Sequence, residues 1–127
     1  MTTELTVPPR KEFQSFHDLP IVTDLDNIEA DVAILGIPFS DPYSMEEVTN
    51  DQTNAPTSIR RFCQRALRGI ERWDFDVGGQ IFDGKDIRVV DVGDIPGDPR
   101  DMGSHYKKAE QVVRKLLAKN VMPIVLG

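Results

Sequence analysis

The sequence predicts an α/β fold in which a parallel sheet has helices on both faces. Three apolar runs have the length of β-strands: Asp31 to Ser40, Asp86 to Gly93 and Val121 to Gly127. Two amphipathic segments lie between them, so the chain reads strand, helix, strand, helix, strand. This alternation is typical of a doubly wound sheet with right-handed crossovers. We therefore expect the strand order 2-1-3, with the first strand in the middle.

Length, charge and apolar content limit the class of protein. The 127 residues suffice for about one ordinary domain. An excess of 21 acidic over 15 basic residues gives a formal charge of −6, which disfavours a nucleic-acid partner. The first thirty residues carry charges throughout and contain no run long enough for a signal peptide or a membrane span. We expect a cytoplasmic protein without nucleic-acid or membrane partners.

Residues 1–30 predict an irregular N-terminal arm, and residues 31–127 predict the α/β domain. The arm mixes prolines, acids and scattered aromatic residues without helical or strand periodicity. Phe13, Phe16 and the Ile21–Val22 pair are candidates to anchor it to the domain or to a neighbouring subunit, and a loosely ordered terminus is the alternative. His17 stands alone in the arm, so we do not expect it to bind a metal.

The first apolar run predicts a central, fully buried strand. Val32, Ala33, Ile34, Leu35 and Ile37 leave it no polar face, as in a parallel strand covered on both sides. Ligands of open α/β sheets bind beyond the carboxyl ends of the strands. The loop that begins at residues 38–40 is therefore the first candidate for function. The polar stretch 41–54 that follows is long, which favours either a functional loop or a solvated one.

The next segment predicts an amphipathic helix that begins near Asn54 and Pro56 and ends at Gly69. Its apolar residues recur at helical spacing: Ile59, Phe62, Cys63, Ala66, Leu67 and Ile70. The sole cysteine lies on this stripe, so we interpret it as a packed thiol and not a nucleophile. The segment also carries arginines 60, 61, 65, 68 and 72. We interpret them as a solvated face that pairs with nearby acids, in preference to a polyanion site.

Residues 73–85 predict a short extended excursion, because apolar and acidic residues alternate before two glycine-containing turns. We interpret Asp74 and Asp76 there as solvated carboxylates. A loop rich in aspartate follows the second strand: Asp91, Asp94, Asp98 and Asp101. Their spacing matches no calcium loop, so turn formers and helix caps are the preferred interpretation over a metal site.

Residues 103–119 predict the second main helix, capped by Asp101 or Ser104 and ended by Asn120. His105 lies in its first turn without a carboxylate or second histidine at ligand spacing, so we expect it at the surface. In the third strand, Pro123 is expected to cost one ladder hydrogen bond. Three strands with two helices leave bare sheet edges, and no loop follows the third strand, so we expect a fragment of a larger domain.

Four motifs in this order carry a resemblance to a known family: ADVAILGIPF at 30–39, APTSIR at 55–60, RVVDVGDI at 88–95 and MPIVLG at 122–127. Together they resemble the ureohydrolases, the family of arginases and agmatinases, and are nearest to agmatinases. The resemblance implies a three-layer arginase-like fold, of which this chain holds the first part. It also implies two Mn²⁺ ions that activate a hydroxide to attack a guanidinium carbon and release urea. Trimers or hexamers are implied for the complete enzyme.

The resemblance places no metal ligand or catalytic residue in this chain. In the family, the first ligand is a histidine in a G-G-D-H stretch after the third strand, and this chain ends at Gly127. Where relatives show glycine and arginine before Gly-Pro, residues 50–56 read NDQTNAP. We assign Ser40, Asn50, Gln52 and Asn54 to a pocket wall that suits a guanidino or amidino compound.

The leading hypothesis is therefore the amino-terminal portion of an agmatinase-like hydrolase that is inactive by itself. A self-standing α/β binding or regulatory module is the alternative, although the chain has no glycine-rich phosphate loop. An interaction protein that uses the exposed sheet edge is a third possibility.

Overall fold

The computed structural model describes residues 5–9, 15–39, 54–66, 72–98 and 100–127, with side chains omitted at 64–66. Its helices are α1 (Ala55–Ala66) and α2 (Met102–Ala118). Its strands are β1 (Val32–Gly36), β2 (Trp73–Asp74), β3 (Gly79–Gln80), β4 (Val89–Asp94) and β5 (Met122–Leu126). Short 3-10 turns occupy Phe16–Asp18 and Leu25–Asn27. None of the helices in these ranges has the length and apolar content needed to cross a membrane.

The main sheet has the predicted fold class and strand order. β1, β4 and β5 form a parallel sheet in the order β4-β1-β5, which confirms the expected 2-1-3 arrangement. Val32 of β1 lies opposite Val89 on one side and Met122 on the other. The first apolar run is thus the central strand, and its residues 33–36 are all buried.

The main core lies between α2 and one face of the sheet. Its fully buried members are Ala33, Leu35, Val92, Val112 and Leu116. Burial of each valine or leucine side chain among them contributes roughly 1.5–3 kcal/mol. The helix begins at Asp101, whose carboxylate accepts a hydrogen bond from the Ser104 amide at 3.2 Å. It ends where Asn120 adopts a left-handed φ of 57°, so both predicted ends of this helix are confirmed.

The orientation of α1 differs from the prediction. Among the described side chains of α1, Pro56 and Arg60 are buried, whereas Ile59 is 36% and Phe62 is 67% exposed. The expectation that Ile59 and Phe62 form the buried face is therefore wrong for the described side chains. The expectation that Arg60 lies on a solvated face is wrong, because the residue is buried, but its expected pairing with nearby acids is confirmed by Asp91 and Asp94. Leu67, Gly69 and Ile70 lie outside the described residues.

β2 and β3 form the short extended excursion predicted for residues 73–85. The strands are antiparallel, with Trp73 opposite Gln80. The Asp74 carboxylate accepts hydrogen bonds from the amides of Asp76 and Val77, so it closes the turn and is more than a solvated charge. Gly78 follows with a φ of 71°.

The N-terminal arm lies along the outer edge of β4. Val7 exchanges two backbone hydrogen bonds of 2.9 Å with Asp94. Farther along, the Asp91 amide donates to Pro20 and its carbonyl accepts from Val22, again at 2.9 Å. The described part of the arm is therefore paired with the domain through backbone groups of β4.

The outer edge of β5 is built differently. The Met122 amide donates to Asp31 and the Leu126 carbonyl accepts from Ile37, so these residues direct their backbone groups towards β1. Because backbone direction alternates along a strand, the Pro123 nitrogen faces away from β1. The prediction that Pro123 costs a ladder hydrogen bond is thus wrong for this sheet.

Candidate functional site

The carboxyl end of the sheet brings together the ends of β1, β4 and β5 and the beginnings of both helices. This is the edge at which open α/β sheets bind ligands. Of the predicted pocket residues, Asn54 lies here, exposed, directly before α1. Ser40, Asn50 and Gln52 lie outside the described residues.

A β-bulge in β4 places two aspartates on one face of the sheet. Ile34 pairs with Asp91, but its neighbour Leu35 pairs with Gly93, so β4 has one extra residue. Residues three apart in a regular strand face opposite sides, and the extra residue brings Asp91 and Asp94 to the same side. Gly93 has a φ of 82°, a conformation that glycine adopts without steric cost.

Arg60 of α1 binds both aspartates, and we call these three residues the Arg60 clamp. The Arg60 Nε lies 2.9 Å from Asp91 Oδ2, and Nη2 lies 3.0 Å from Asp91 Oδ1. Nη1 donates to Asp94 Oδ1 at 2.6 Å. Arg60 is 1% exposed, Asp91 is fully buried and Asp94 is 19% exposed. Such a two-pronged guanidinium–carboxylate pair fixes geometry as well as charge.

Burial alone would lower the pKa of Arg60, but the hydrogen bonds with Asp91 and then Asp94 outweigh it and raise the pKa. The guanidinium therefore stays charged and is no proton donor in catalysis. Breaking a buried pair of this kind costs several kcal/mol, because the remaining charge is left uncompensated. The clamp is an anchor of the helix on the sheet and not an acid–base pair.

The four aspartates of the second strand and its loop all have partners within the protein. Asp91 also accepts from the amides of Phe16 and Gly93, both at 2.9 Å. Asp98 binds the Arg100 guanidinium at 2.8 Å, and Asp101 caps α2. The described residues contain no group of three or more histidine, cysteine or acidic side chains placed to hold a metal ion. Asp98 also accepts from the Arg100 amide, so turn and cap roles are correct for Asp98 and Asp101. Pairing of the helix arginines with nearby acids was predicted, but Asp91 and Asp94 were not named as the partners.

A glycine makes room for the clamp on the central strand. A Cβ atom at Gly36 would lie 1.8 Å from Asp94 Oδ1 and 3.0 Å from the Pro56 side chain. Any side chain at this position would displace the carboxylate that Arg60 binds. At Gly36, the end of β1 is therefore in close contact with both the end of β4, through Asp94, and the start of α1, through Pro56.

The prediction that His105 lies at the surface is wrong. The side chain is fully buried, and its ring packs edge to face against Phe39 with centroids 5.0 Å apart. Nδ1 lies 3.5 Å from the Pro96 carbonyl oxygen, a long contact. A Cβ at Gly97 would lie 2.6 Å from this nitrogen, so the loop after β4 closes tightly over the first turn of α2. Within the described ranges, Nε2 has no hydrogen-bond partner.

Cys63 is consistent with the predicted packed thiol. It is partly buried on α1, and this burial raises the pKa of its thiol. A raised pKa lowers the fraction of thiolate, which is the nucleophilic form. The thiol is therefore a poor nucleophile near neutral pH.

The chain was compared with known protein families and with curated proteins. The family model described as the Arginase family matches residues 30–127, which covers the main sheet and both helices. The match excludes most of the N-terminal arm. A comparison with curated proteins gave no match.

Proposed function

This chain belongs to the arginase family, and from that premise we propose that it is the amino-terminal portion of a ureohydrolase acting on a guanidino compound. The family match over residues 30–127 is the observation that carries the proposal. The sheet order and the crossovers support it, because they form the first part of an arginase-like α/β fold. The specific proposal is an agmatinase-like enzyme that releases urea and an amine.

Two Mn²⁺ ions are proposed as cofactors, since bound metal lowers the pKa of water to produce a hydroxide near neutral pH. The described residues do not fit such a pair. The best-placed carboxylates at the sheet end, Asp91 and Asp94, are bound by Arg60, and Asp91 accepts two backbone amides as well. We therefore derive no reaction step through these residues. Ligands for the metal pair would come from outside the described part, and the 127-residue chain alone is proposed to be inactive.

The exposure of β5 supports the proposal that a larger domain surrounds this sheet. Met122, Ile124 and Val125 are 56%, 43% and 49% exposed, although they belong to a strongly apolar strand. Ile124 and Val125 point to opposite faces, so both faces of β5 are incompletely covered. A further strand and helices of the complete enzyme would cover them.

We also propose that the complete enzyme is trimeric or hexameric and cytoplasmic.

The candidate pocket wall comprises Ser40, Asn50, Gln52 and Asn54. The exposed position of Asn54 at the carboxyl end of the sheet supports its inclusion. Amide and hydroxyl oxygens accept hydrogen bonds from the N–H groups of a guanidinium, which makes a guanidino or amidino substrate the best chemical fit.

The test measures urea release from agmatine, arginine and 4-guanidinobutyrate with and without Mn²⁺. Two proteins are compared: the 127-residue chain and the product of the coding sequence extended beyond Gly127. We expect manganese-dependent urea release from the extended product and none from the 127-residue chain. We also expect the added sequence to contain G-D-H followed by D-x-H-x-D.

Two outcomes would contradict the proposal. Urea release by the 127-residue chain would show that its own residues hold the metals. A folded, manganese-loaded extended product that hydrolyses none of the three compounds would argue against the guanidino substrate class. Electron paramagnetic resonance of added Mn²⁺ supplies the control, because it separates failure to bind metal from failure to turn over substrate.

A further inference from the structure

We propose that the cleft between the N-terminal arm and the start of β4 binds a free α-amino acid with an apolar side chain. The cleft has a volume of about 420 Å³, within the range of roughly 300–1,000 Å³ that is typical of small-molecule sites. It lies at the amino end of β4, whereas the candidate functional site lies at the carboxyl end of the sheet. Part of its wall, formed by Leu19, Pro20 and Glu29, precedes the residues that match the family model. The cleft is therefore a second site, and its ligand does not depend on the proposed function.

The first step concerns where the pairing between the arm and β4 stops. The Asp91 amide donates to the Pro20 carbonyl, and the Val22 amide donates to the Asp91 carbonyl, both at 2.9 Å. Backbone direction alternates along a strand, so the next outward residue towards the amino end of β4 is Val89. The Arg88 carbonyl accepts a hydrogen bond from β1, which confirms that Val89 directs its own groups the other way. Val89 thus faces the arm with one N–H and one C=O group.

The second step concerns why these two groups stay unpaired. Continued by one rung, the parallel ladder would pair the Val89 amide with the carbonyl of Asp18 and the Val89 carbonyl with the amide of Pro20. Proline has no N–H group. Asp18 has a left-handed φ of 57° in the turn at 16–18, where the arm leaves the strand direction. Within the described part of the chain, neither group of Val89 has a backbone partner. A donor and an acceptor therefore remain on the wall of the cleft.

The third step matches these groups to a ligand. An α-amino acid carries a carboxylate and an ammonium on one carbon, as Val89 offers a donor and an acceptor on one residue. Charged side chains of both signs also line the cleft, so Lys85 can bind the carboxylate, and Glu29 and Asp86 can bind the ammonium. Arg88, the other cation of the wall, already pairs with a neighbouring carboxylate at 3.6 Å. Lys85 is therefore the cation that we assign to the ligand.

The fourth step concerns the side chain of the ligand. Leu19, Phe82 and Ile87 are half-buried and supply apolar surface to the cleft, and the buried Val90 lies with them. An aliphatic or aromatic side chain can pack against this surface. The two cations and two carboxylates of the wall sum to no net charge. A neutral zwitterion therefore complements the cleft better than a diamine or a dicarboxylate.

The test follows the amide resonances of the isotope-labelled 127-residue chain by NMR as L-leucine is added. We expect the Val89 resonance to shift and its hydrogen exchange to slow, while the Asp91 amide, which is already paired, changes less. N-acetyl-leucine lacks the ammonium and leucinamide lacks the carboxylate. Each should bind about five-fold more weakly, as expected for the loss of one exposed ion pair. Glycine lacks the side chain and should bind about ten-fold more weakly.

A substitution tests the assigned cation. Lys85→Met should weaken leucine binding about five-fold, because it removes the partner of the ligand carboxylate. Lys107→Met is the matched control, since Lys107 lies exposed on α2 and outside the cleft. It should leave leucine binding unchanged.

Two results would overturn the proposal. Equal affinity for leucine, N-acetyl-leucine and leucinamide would show that the cleft does not recognise a zwitterion. A Val89 amide that none of the four compounds shifts would show that the unpaired edge of β4 is not a binding site. Neither measurement requires metal or urea release, so failure of the proposed function would leave both results valid.

Discussion

The two outer strands of the main sheet are both apolar in sequence but differ in what covers them. On β4, Val90 and Val92 are buried, with 7% and no exposure. On β5, Ile124 and Val125 are 43% and 49% exposed. An apolar run thus predicts that a strand forms, but not which partners bury it. The arm pairs with the outer edge of β4, and Val90 and Val92 belong to the buried cluster that includes Val112 and Leu116 of α2. β5 also contacts α2, but its two faces are incompletely covered within the described part of the chain.

The backbones of the two edges differ in the same way. At β4, Asp91 and Asp94 direct their outward amides and carbonyls to the arm, which pairs with all of them. At β5, an outward position is Pro123, which has no N–H group to offer another strand. The β4 edge is therefore closed by hydrogen bonds at these two residues, whereas the β5 edge offers a partner strand one backbone N–H group fewer because of Pro123.

The largest expected loss of stability comes from changing Asp91, which lies on β4 and binds both Arg60 and the arm. Asp91→Asn keeps the size of the side chain but removes the charge that Arg60 binds, and it turns a donor towards the Phe16 or Gly93 amide. We expect the free energy of unfolding to fall by about 3–5 kcal/mol, as for other broken buried ion pairs. Urea denaturation followed by circular dichroism measures this change.

Asp26→Asn is the control for this substitution, because Asp26 pairs with Lys115 while 61% exposed. An exposed pair of this kind contributes at most about 1 kcal/mol. Equal losses in the two variants would mean that the buried clamp is no stronger than a surface pair, and the proposed difference between the two edges would lose its main cause.

A smaller effect is expected where the arm approaches β4 most closely. A Cβ at Gly93 would lie 1.8 Å from the Val7 carbonyl oxygen, and the residue has a left-handed φ of 82°. Gly84 has a similar φ of 73°, but a Cβ there would have no atom within 4 Å, so Gly84→Ala isolates the backbone cost. We expect about 1 kcal/mol for Gly84→Ala and roughly 3 kcal/mol for Gly93→Ala.

The additional loss at Gly93 should appear as faster exchange of the Val7 and Asp94 amides, each of which donates to the carbonyl oxygen of the other residue. Thermal unfolding and amide exchange together provide the measurement. If both alanine variants lose the same stability and the arm amides remain protected, the close approach of Val7 does not contribute to closing this edge.

A substitution on β5, the incompletely covered strand, is expected to change stability even less but to reduce self-association measurably. Ile124→Lys places a charge on the partly covered face of β5 and should change the free energy of unfolding by less than about 1 kcal/mol. We expect the parent chain to self-associate as its concentration rises and the variant to do so less, because exposed apolar patches drive association. Sedimentation velocity at several concentrations measures the difference.

Val7→Lys provides the matched control at the closed edge, since Val7 is 41% exposed. It should leave self-association unchanged. A parent chain that stays monomeric throughout, or a Val7 variant that dissociates as readily as the Ile124 variant, would contradict the difference between the edges.

The parts of the fold that the sequence predicts are those determined by local pattern. The apolar runs give three strands and their order, and the cap residues Asp101 and Asn120 give both ends of α2. These signals act within a few residues of the structure they determine. The resemblance to the ureohydrolases likewise depends on short motifs, and the family match supports it.

The clamp could not be predicted in the same way, because it depends on the bulge in β4. A regular strand would place Asp91 and Asp94 on opposite faces, and nothing in the pattern locates the extra residue. Gly93 was the available signal, since an isolated glycine within a strand often marks a bulge. The burial of His105 is likewise tertiary, because Phe39 and the loop at Pro96 reach it from two other elements.

The smallest effect on stability is expected from an ion pair of the same residue types as the clamp, placed in solvent. Asp98 and Arg100 form parallel hydrogen bonds in the exposed loop after β4, at 2.8 and 3.0 Å. The Arg100 side chain, followed by its backbone amide, lowers the pKa of Asp98 from 3.8 to about 2. Asp98→Asn should leave the denaturation midpoint at pH 7 unchanged, since solvent screens an exposed pair.

The pH dependence of this pair has a definite sign. Because the pKa of Asp98 is lowered in the folded chain, its contribution is complete above its ordinary value of 3.8 and is lost as the pH falls through about 2. Carbon-detected NMR titration of the carboxyl group measures the pKa, and Arg100→Met should return it towards 3.8. An Asp98 that titrates near 3.8 in the parent chain would show that the loop does not hold the pair. In that case, an aspartate–arginine pair at this end of the sheet would need burial to form, as the pairs of Arg60 have and the Asp98–Arg100 pair lacks.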